Sequence, residues 1–281
     1  MAAWIDGYVE SQGVNIHYVT NGVEEAKAGS LLFVPGVMMP AWIWEKQLSH
    51  FSKTYRVVAM DPRSQGESGS STEGHYAFSR SKDIAAVADH LKLKHLVLIG
   101  WSLGVPEAIN YAAHFRPKDM LGLVLIDGLA GIDSTVPFYN STVEYWSEFQ
   151  VDRVAKTKEF IRLIFNQPHS EAYLNKLYET ALRMPTNTVM ALMNNYILQD
   201  FRPLLPKLNI PTLIATIEGP RLEYMQEMQA LLPHARLAVI KSAGHALFVD
   251  QPETFNALLD AFILDLLTPK PFNSAASFTS H

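Results

Sequence analysis

The stretch Leu96-Val97-Leu98-Ile99-Gly100-Trp101-Ser102-Leu103-Gly104 constrains this chain more than any other. An apolar run of strand length ends in Gly-x-Ser-x-Gly and passes into a pattern with helical spacing. That is the setting in which a tight turn holds a serine oxygen at the carboxyl edge of a sheet. As bare text the pattern is weak: at ordinary usage of roughly 7% for each fixed residue, about one chain in ten of this length carries it by chance. The surroundings have to supply the specificity.

Residues 7–20 read as a hairpin around Ser11-Gln12-Gly13, because Val14, Ile16 and Tyr18 alternate with polar neighbours. Leu31 to Val34 is a continuous apolar run stopped by Pro35-Gly36, the mark of a strand buried on both faces. A helical pattern over 41–51, a strand over 55–60, an amphipathic helix over 78–92, a strand over 95–99, a helix over 102–115 and a strand over 121–126 follow. Pro106 falls in the first turn of its helix, where the missing N–H is harmless. This alternation predicts an α/β fold with a mostly parallel sheet and helices on both faces. From 131 to 206 the alternation stops, and helical patterns rich in aromatics replace it, which predicts an inserted helical cap. Strands over 211–216 and 236–240 and helices over 222–232 and 252–267 then complete the sheet. The expected organisation is a core formed by 1–130 and 207–267, a cap at 131–206 and a flexible tail at 268–281.

A net charge of -5 with well-mixed signs offers no basic face for nucleic acid. The 281 residues include no cysteine, which excludes disulfides, zinc-thiolate sites and a cysteine nucleophile. No spaced set of His and carboxylate ligands suggests a metal, and no cofactor motif is evident. Met1 to Asp6 lacks the charged and apolar regions of a signal peptide, and no apolar stretch approaches the ~20 residues of a membrane span. A cytoplasmic protein acting on a small molecule is expected, without a membrane or nucleic-acid partner.

A serine hydroxyl needs a base within reach, a group that orients the base, and donors aimed at a developing oxyanion. Of the ten histidines, His245 stands in Ser242-Ala243-Gly244-His245-Ala246, directly after the last strand and before the last helix. That places it at the sheet edge of Ser102. With these positions in hand, the chain resembles the α/β-hydrolase superfamily over roughly residues 7–267. The resemblance is carried by Val34-Pro35-Gly36-Val37, by Asp61-Pro62-Arg63-Ser64-Gln65-Gly66-Glu67-Ser68, by the 100–104 elbow, and by Gly244-His245 followed by Asp250-Gln251-Pro252-Glu253. It implies Ser102 as nucleophile, His245 as base, and the backbone N–H groups of Val37 and Leu103 as oxyanion donors. Two departures stand out: Pro35 where the family usually has histidine, and Ser64 where it commonly has glycine.

The acid is where the chain departs most. In the commonest family pattern it follows the strand 211–216, but the aligned position here is Pro220. Asp127, after the strand 121–126, and Glu218 are the two carboxylates at suitable strand ends. A minority of the superfamily, including haloalkane dehalogenases and cofactor-free dioxygenases, places its acid where Asp127 stands, so Asp127 is preferred and Glu218 is the alternative. Asp61 is expected to organise its turn through Arg63, and Asp250 to cap the final helix. Trp101, Met38 and Trp42 are candidate pocket residues, although such clusters also arise from ordinary packing.

The expected function is a cofactor-free serine hydrolase that cleaves a small or medium carboxylic ester or lactone, with an apolar or aromatic substrate. Serine in place of aspartate at the elbow argues against chemistry through an alkyl-aspartate ester. A cofactor-independent dioxygenase or a C–C bond hydrolase of the same fold are the enzymatic alternatives. A hydrolase-like ligand-binding protein without catalysis is the alternative from another class.

Overall fold

The alternating residues at the start of the chain fold as an antiparallel hairpin, β1 (Ile5–Ser11) and β2 (Val14–Thr20). Gln12 and Gly13 between them both have positive φ, as a two-residue hairpin turn demands. The computed structural model describes residues 4–23 and 29–268, together with the backbone of 278–279.

The continuous apolar runs become β3 (Ser30–Val34), β4 (Arg56–Met60), β5 (Leu96–Trp101), β6 (Gly122–Ile126) and β7 (Thr212–Thr216), each buried along its full length. β8 (Ala235–Val239) is partly exposed. The sheet order is β1-β2-β4-β3-β5-β6-β7-β8; β2 meets β4 antiparallel, and every pair from β4 to β8 is parallel. Successive strand residues face opposite sides. Leu31, Phe33, Val97, Ile99, Val124 and Ile126 thus join one core cluster, while Leu32, Val34, Leu98, Leu123 and Leu125 join the other.

Helices cover both clusters. α1 (Glu45–Phe51), preceded by a 3-10 turn at Ala41–Trp44, contributes Leu48 and Phe51 to the first. α2 (Ala77–His90) and α3 (Gly104–His114) contribute Ile84, Val87, Ala108 and Ile109 to the second. Between β6 and β7 the chain forms α4 (Pro137–Ser147), α5 (Arg153–Leu163), α6 (Glu171–Leu182) and α7 (Thr186–Leu198), with no strand. The side chains of Asp152 and Ser170 cap α5 and α6 by accepting from the N–H groups of Ala155 and Tyr173. α8 (Leu222–Leu231), the single turn α9 (Leu247–Asp250) and α10 (Pro252–Leu267) complete the fold. α8 adds Met225 and Met228 to the α2–α3 side, and α10 adds Phe255 and Leu259 to the α1 side.

Two boundaries differ from the sequence expectation for a reason that matters. β5 continues to Trp101 and α3 begins only at Gly104, because Ser102 takes a left-handed turn between them. The tail assigned to 268–281 lies outside the described residues apart from Thr268 and the backbone of 278–279, which pairs with β8. Register brings the carboxyl ends together: Val34 pairs with Gly100, Trp101 with Ile126, and Ile126 with Ala215. Loops leaving β3, β5, β6 and β7 therefore emerge side by side, and the site is built there.

Candidate active site

Ser102 has φ of 56°, a region a non-glycine residue enters at a cost of about 1–3 kcal/mol. The turn is held by its N–H donating to Ile126 O at 2.9 Å and by its carbonyl accepting from Val105 N at 3.0 Å. The glycines on either side are needed for close approach. A Cβ on Gly100 would lie 2.4 Å from Gly104 O, and one on Gly104 would lie 2.7 Å from Val34 O. Among the described residues Ser102 Oγ makes no hydrogen bond, so the hydroxyl is free to rotate.

His245 lies on the loop between β8 and α9, and its ring Nδ1 is 2.6 Å from Asp127 Oδ2. Asp127 is fully buried at the end of β6; its other oxygen accepts from Thr216 Oγ1 at 2.6 Å, and Arg221 Nη1 donates to Oδ2 at 3.3 Å. Burial alone would raise the Asp127 carboxyl, but His245, Arg221 and Thr216 together hold it below its ordinary value. Asp127 is thus ionised at neutral pH, and Nδ1 of His245 carries the proton between them. Burial, reinforced by the Arg221 charge, lowers the His245 pKa against the opposing pull of Asp127. The imidazole is accordingly neutral, with Nε2 unprotonated. Glu218, the alternative acid, is exposed and makes no hydrogen bond among the described residues.

The loop carrying His245 is pinned from three sides. Trp101 Nε1 donates to the His245 carbonyl at 2.9 Å, Ala246 N donates to Ile164 O at 2.8 Å, and Asp250 accepts from Gly244 N at 2.7 Å. Asp250 also accepts from Asn166 N at 2.6 Å and pairs with His169 at 3.0 Å. It was expected to cap the last helix; instead it ties the histidine loop to the segment joining α5 and α6.

Gly36 brings the loop after β3 against Ser102, since a Cβ there would lie 3.0 Å from Ser102 Cβ. Val37 and Leu103 both border the space in front of the serine. The loop is anchored by Gln65, whose amide donates to Gly36 O and Met39 O, each at 3.0 Å. Arg80 Nη2 in turn donates to Gln65 Oε1 at 2.9 Å, and its Nε to the fully buried Glu107 at 2.5 Å. Burial pushes Glu107 up to about 7 even beside Arg80. The expectation that Asp61 organises its turn through Arg63 is not met: Arg63 forks onto Asp83 at 2.6 and 2.8 Å. Asp61 instead accepts from Ala41 N, Glu67 N and the His17 ring. Ser64, at the position where glycine is common, has φ of 63° and accepts from Ser71 N at 3.0 Å.

A cavity of about 280 Å³ opens in front of Ser102 and His245. Its walls come largely from the helical segment between β6 and β7, with Phe138, Tyr145, Trp146, Phe160 and Met193 facing it. The three pocket residues expected from sequence lie outside this lining. Trp101 is buried beneath the site, edge-on to Trp44, with its N–H committed to the histidine loop. Met38 is 1% exposed in the core, and Trp42 packs on Tyr173 with Lys176 over its ring. Among the described residues no group of three or more His, Asp or Glu is placed to hold a metal ion.

Residues 29–252 match the family described as the alpha/beta hydrolase fold. The chain belongs to this family. An AB hydrolase superfamily protein of Bacillus subtilis is 25% identical to it over 260 residues, 87% of this chain and 96% of the relative. 3-oxoadipate enol-lactonase 2 of Acinetobacter baylyi is 22% identical over 256 residues, covering 89% and 94%. An esterase structure from Exiguobacterium antarcticum superposes with a TM-score of 0.84 at 20% identity, over 92% of this chain and all of that one. This α/β-hydrolase is accordingly an enzyme of the hydrolase type. No described helix is long and apolar enough to cross a membrane.

Four residues of the α/β-hydrolase site carry no signal in the sequence: Thr216, Arg221, Gln65 and Arg80. Thr216 and Arg221 flank the loop after β7, where the family pattern has its acid, and both contact Asp127 at the end of the neighbouring strand. Gln65 sits in the quoted 61–68 turn, but nothing in spacing says that its amide crosses to the loop after β3. Replacing Gln65 by Ala leaves the Gly36 and Met39 carbonyls and Arg80 short of partners in a dry site. The variant is expected to lose roughly 1–3 kcal/mol of stability. Its kcat should fall more than its KM rises, which denaturant melts and steady-state kinetics on one ester would check.

Proposed function

We propose that the protein is a cofactor-free serine hydrolase that cleaves a small or medium carboxylic ester or lactone through an acyl-enzyme. The observation that carries this reading is the His245–Asp127 contact at 2.6 Å beside the strained Ser102 turn, with Ser102 and His245 facing one cavity. Ser102 Oγ attacks the carbonyl while His245 Nε2 takes its proton. Asp127 holds the imidazole in the required tautomer and stabilises the imidazolium. The N–H groups of Val37 and Leu103 receive the oxyanion. His245 then returns the proton to the leaving oxygen, and a water activated by the same nitrogen releases the acid. Relatives named as an enol-lactonase and as a bifunctional esterase/perhydrolase agree with acyl chemistry of this kind.

In this reading the segment 131–206 is a cap on a core made of 1–130 and 207–267. A cavity of about 280 Å³ falls just below the range of roughly 300–1,000 Å³ typical of small-molecule sites, which favours a compact substrate with an apolar or aromatic portion.

The test is covalent trapping. A fluorophosphonate is expected to add one equivalent to Ser102, located by peptide mass, and an activated nitrophenyl ester to give a burst of nitrophenol. Protein that turns the ester over without labelling at Ser102 would overturn the reading in favour of chemistry on the His–Asp pair alone.

A further inference from the structure

The cavity has a charge asymmetry that ester cleavage by itself does not require. Among the described residues its lining contains no Asp or Glu, and Arg221 is the one permanently charged side chain there. The Arg221 side chain is 34% exposed, and its ion pair with Asp127 is the only one it makes among the described residues.

That pair uses little of the group. Two arginines elsewhere show what a full fork onto a carboxylate looks like: Arg63 reaches Asp83 at 2.6 and 2.8 Å, and Arg202 reaches Asp200 at 2.9 Å twice. Arg221 offers Asp127 a single nitrogen at 3.3 Å, on the oxygen that His245 already occupies at 2.6 Å. The same Nη1 stands 3.5 Å from His245 Nδ1, where two donors face each other and no hydrogen bond forms. Among the described residues Nη2 and Nε of Arg221 make no hydrogen bond. An N–H fork is therefore left over on a residue that borders a cavity whose other walls are uncharged, with apolar groups such as Leu129, Ile132 and Phe138 beside the hydroxyls of Ser141, Thr142 and Tyr196. A fork of this kind matches the two oxygens of a carboxylate.

We propose that Arg221 recognises an anion and that the substrate is an ester or lactone bearing a carboxylate a few bonds from its scissile carbonyl. This rests on the serine-hydrolase reading above. The short separation follows from the placement of Arg221 against the imidazole that serves the carbonyl. The remainder of the substrate is apolar and fills the space under Phe138 and Trp146.

The experiment compares esters of matched size with and without the charge. The probes are 4-nitrophenyl butyrate against mono-4-nitrophenyl glutarate for the acyl side, and 4-tolyl acetate against 4-acetoxybenzoate for the leaving group. In the intact enzyme the anionic member of at least one pair is expected to have the higher kcat/KM. Hydrogen bonds to a charged group typically contribute enough for a preference of about ten- to a hundredfold. In Arg221→Gln that ratio should fall to about one or below, whatever the loss on both members through Asp127. Arg221→Lys, which keeps the charge without the fork, should be intermediate. Glutarate should compete with the neutral ester in the intact enzyme and much less in Arg221→Gln. Hydrolysis of the neutral esters with no anionic preference, or a preference that survives Arg221→Gln, overturns the proposal and leaves the serine-hydrolase reading standing. Failure to cleave any of the four esters, with no acyl-enzyme at Ser102, removes the reading on which it rests.

Discussion

Ester turnover is expected to fall by on the order of 10⁴- to 10⁶-fold in Ser102→Ala, because in the proposed mechanism Ser102 and His245 act as a unit and losing one forfeits nearly all of what they do together. The remaining rate would come from the oxyanion donors and from binding. Folding should hardly change. Ser102 Oγ makes no hydrogen bond among the described residues, so its removal leaves no buried partner unsatisfied. Alanine takes on the same left-handed turn at φ 56° that serine already occupies. Stability should stay within roughly 0.5 kcal/mol, the usual range for changes that disturb no packing or hydrogen bond. Steady-state rates beside thermal melts separate the two quantities. Undiminished turnover by a folded variant would assign the chemistry elsewhere. The contrast with Gly100 and Gly104 is instructive, since a Cβ at either would meet backbone at 2.4 or 2.7 Å and the turn itself would move.

The parts of the fold legible in the sequence were those with a period or a continuous apolar run. Five fully buried strands read as unbroken apolar runs, and the α2 face read from Ile84, Val87 and Ala88. The placement of Ser102 and His245 on one cavity was legible because strand ends and glycines mark them. Harder to read was any contact set by where two loops cross. Asp250 looked like a cap because it precedes Pro252, yet its carboxylate turns back to Gly244 N and Asn166 N, groups whose need for an acceptor is invisible in one dimension. Asp61 and Arg63 are two apart in a tight turn, but the guanidinium finds a better fork in Asp83 on α2. Trp101 was weighed as a pocket residue from its place beside the serine. Strand alternation sends its ring to the opposite side, beneath the site, where its N–H holds the histidine loop. The lining aromatics belong to helices whose apolar faces serve packing and cavity alike, so spacing alone does not separate the two uses.

Asp127→Asn is expected to lower kcat/KM by on the order of 10⁴-fold, since an amide in that place no longer fixes the Nδ1–H tautomer or stabilises the imidazolium. Glu218→Gln, on an exposed side chain without a described hydrogen bond, should leave the rate essentially unchanged, which makes it the paired control. The pH profile gives a second readout that mere structural damage would not reproduce. In the intact enzyme burial and Arg221 hold the His245 pKa below 6.5, so kcat/KM should rise with pH through an inflection under that value and then level off. Asp127 opposes this by favouring the charged imidazole. Removing its charge makes protonation of His245 harder still, so the acid limb of the asparagine variant should move to lower pH even as the plateau drops. The opposite shift is expected for Arg221→Gln, which takes away a positive neighbour and lets the imidazole protonate more easily. A loss of rate in Glu218→Gln with Asp127→Asn nearly intact would reverse the choice of acid. An acid limb that stays fixed in both the Asp127 and Arg221 variants would mean that the titrating group is not His245.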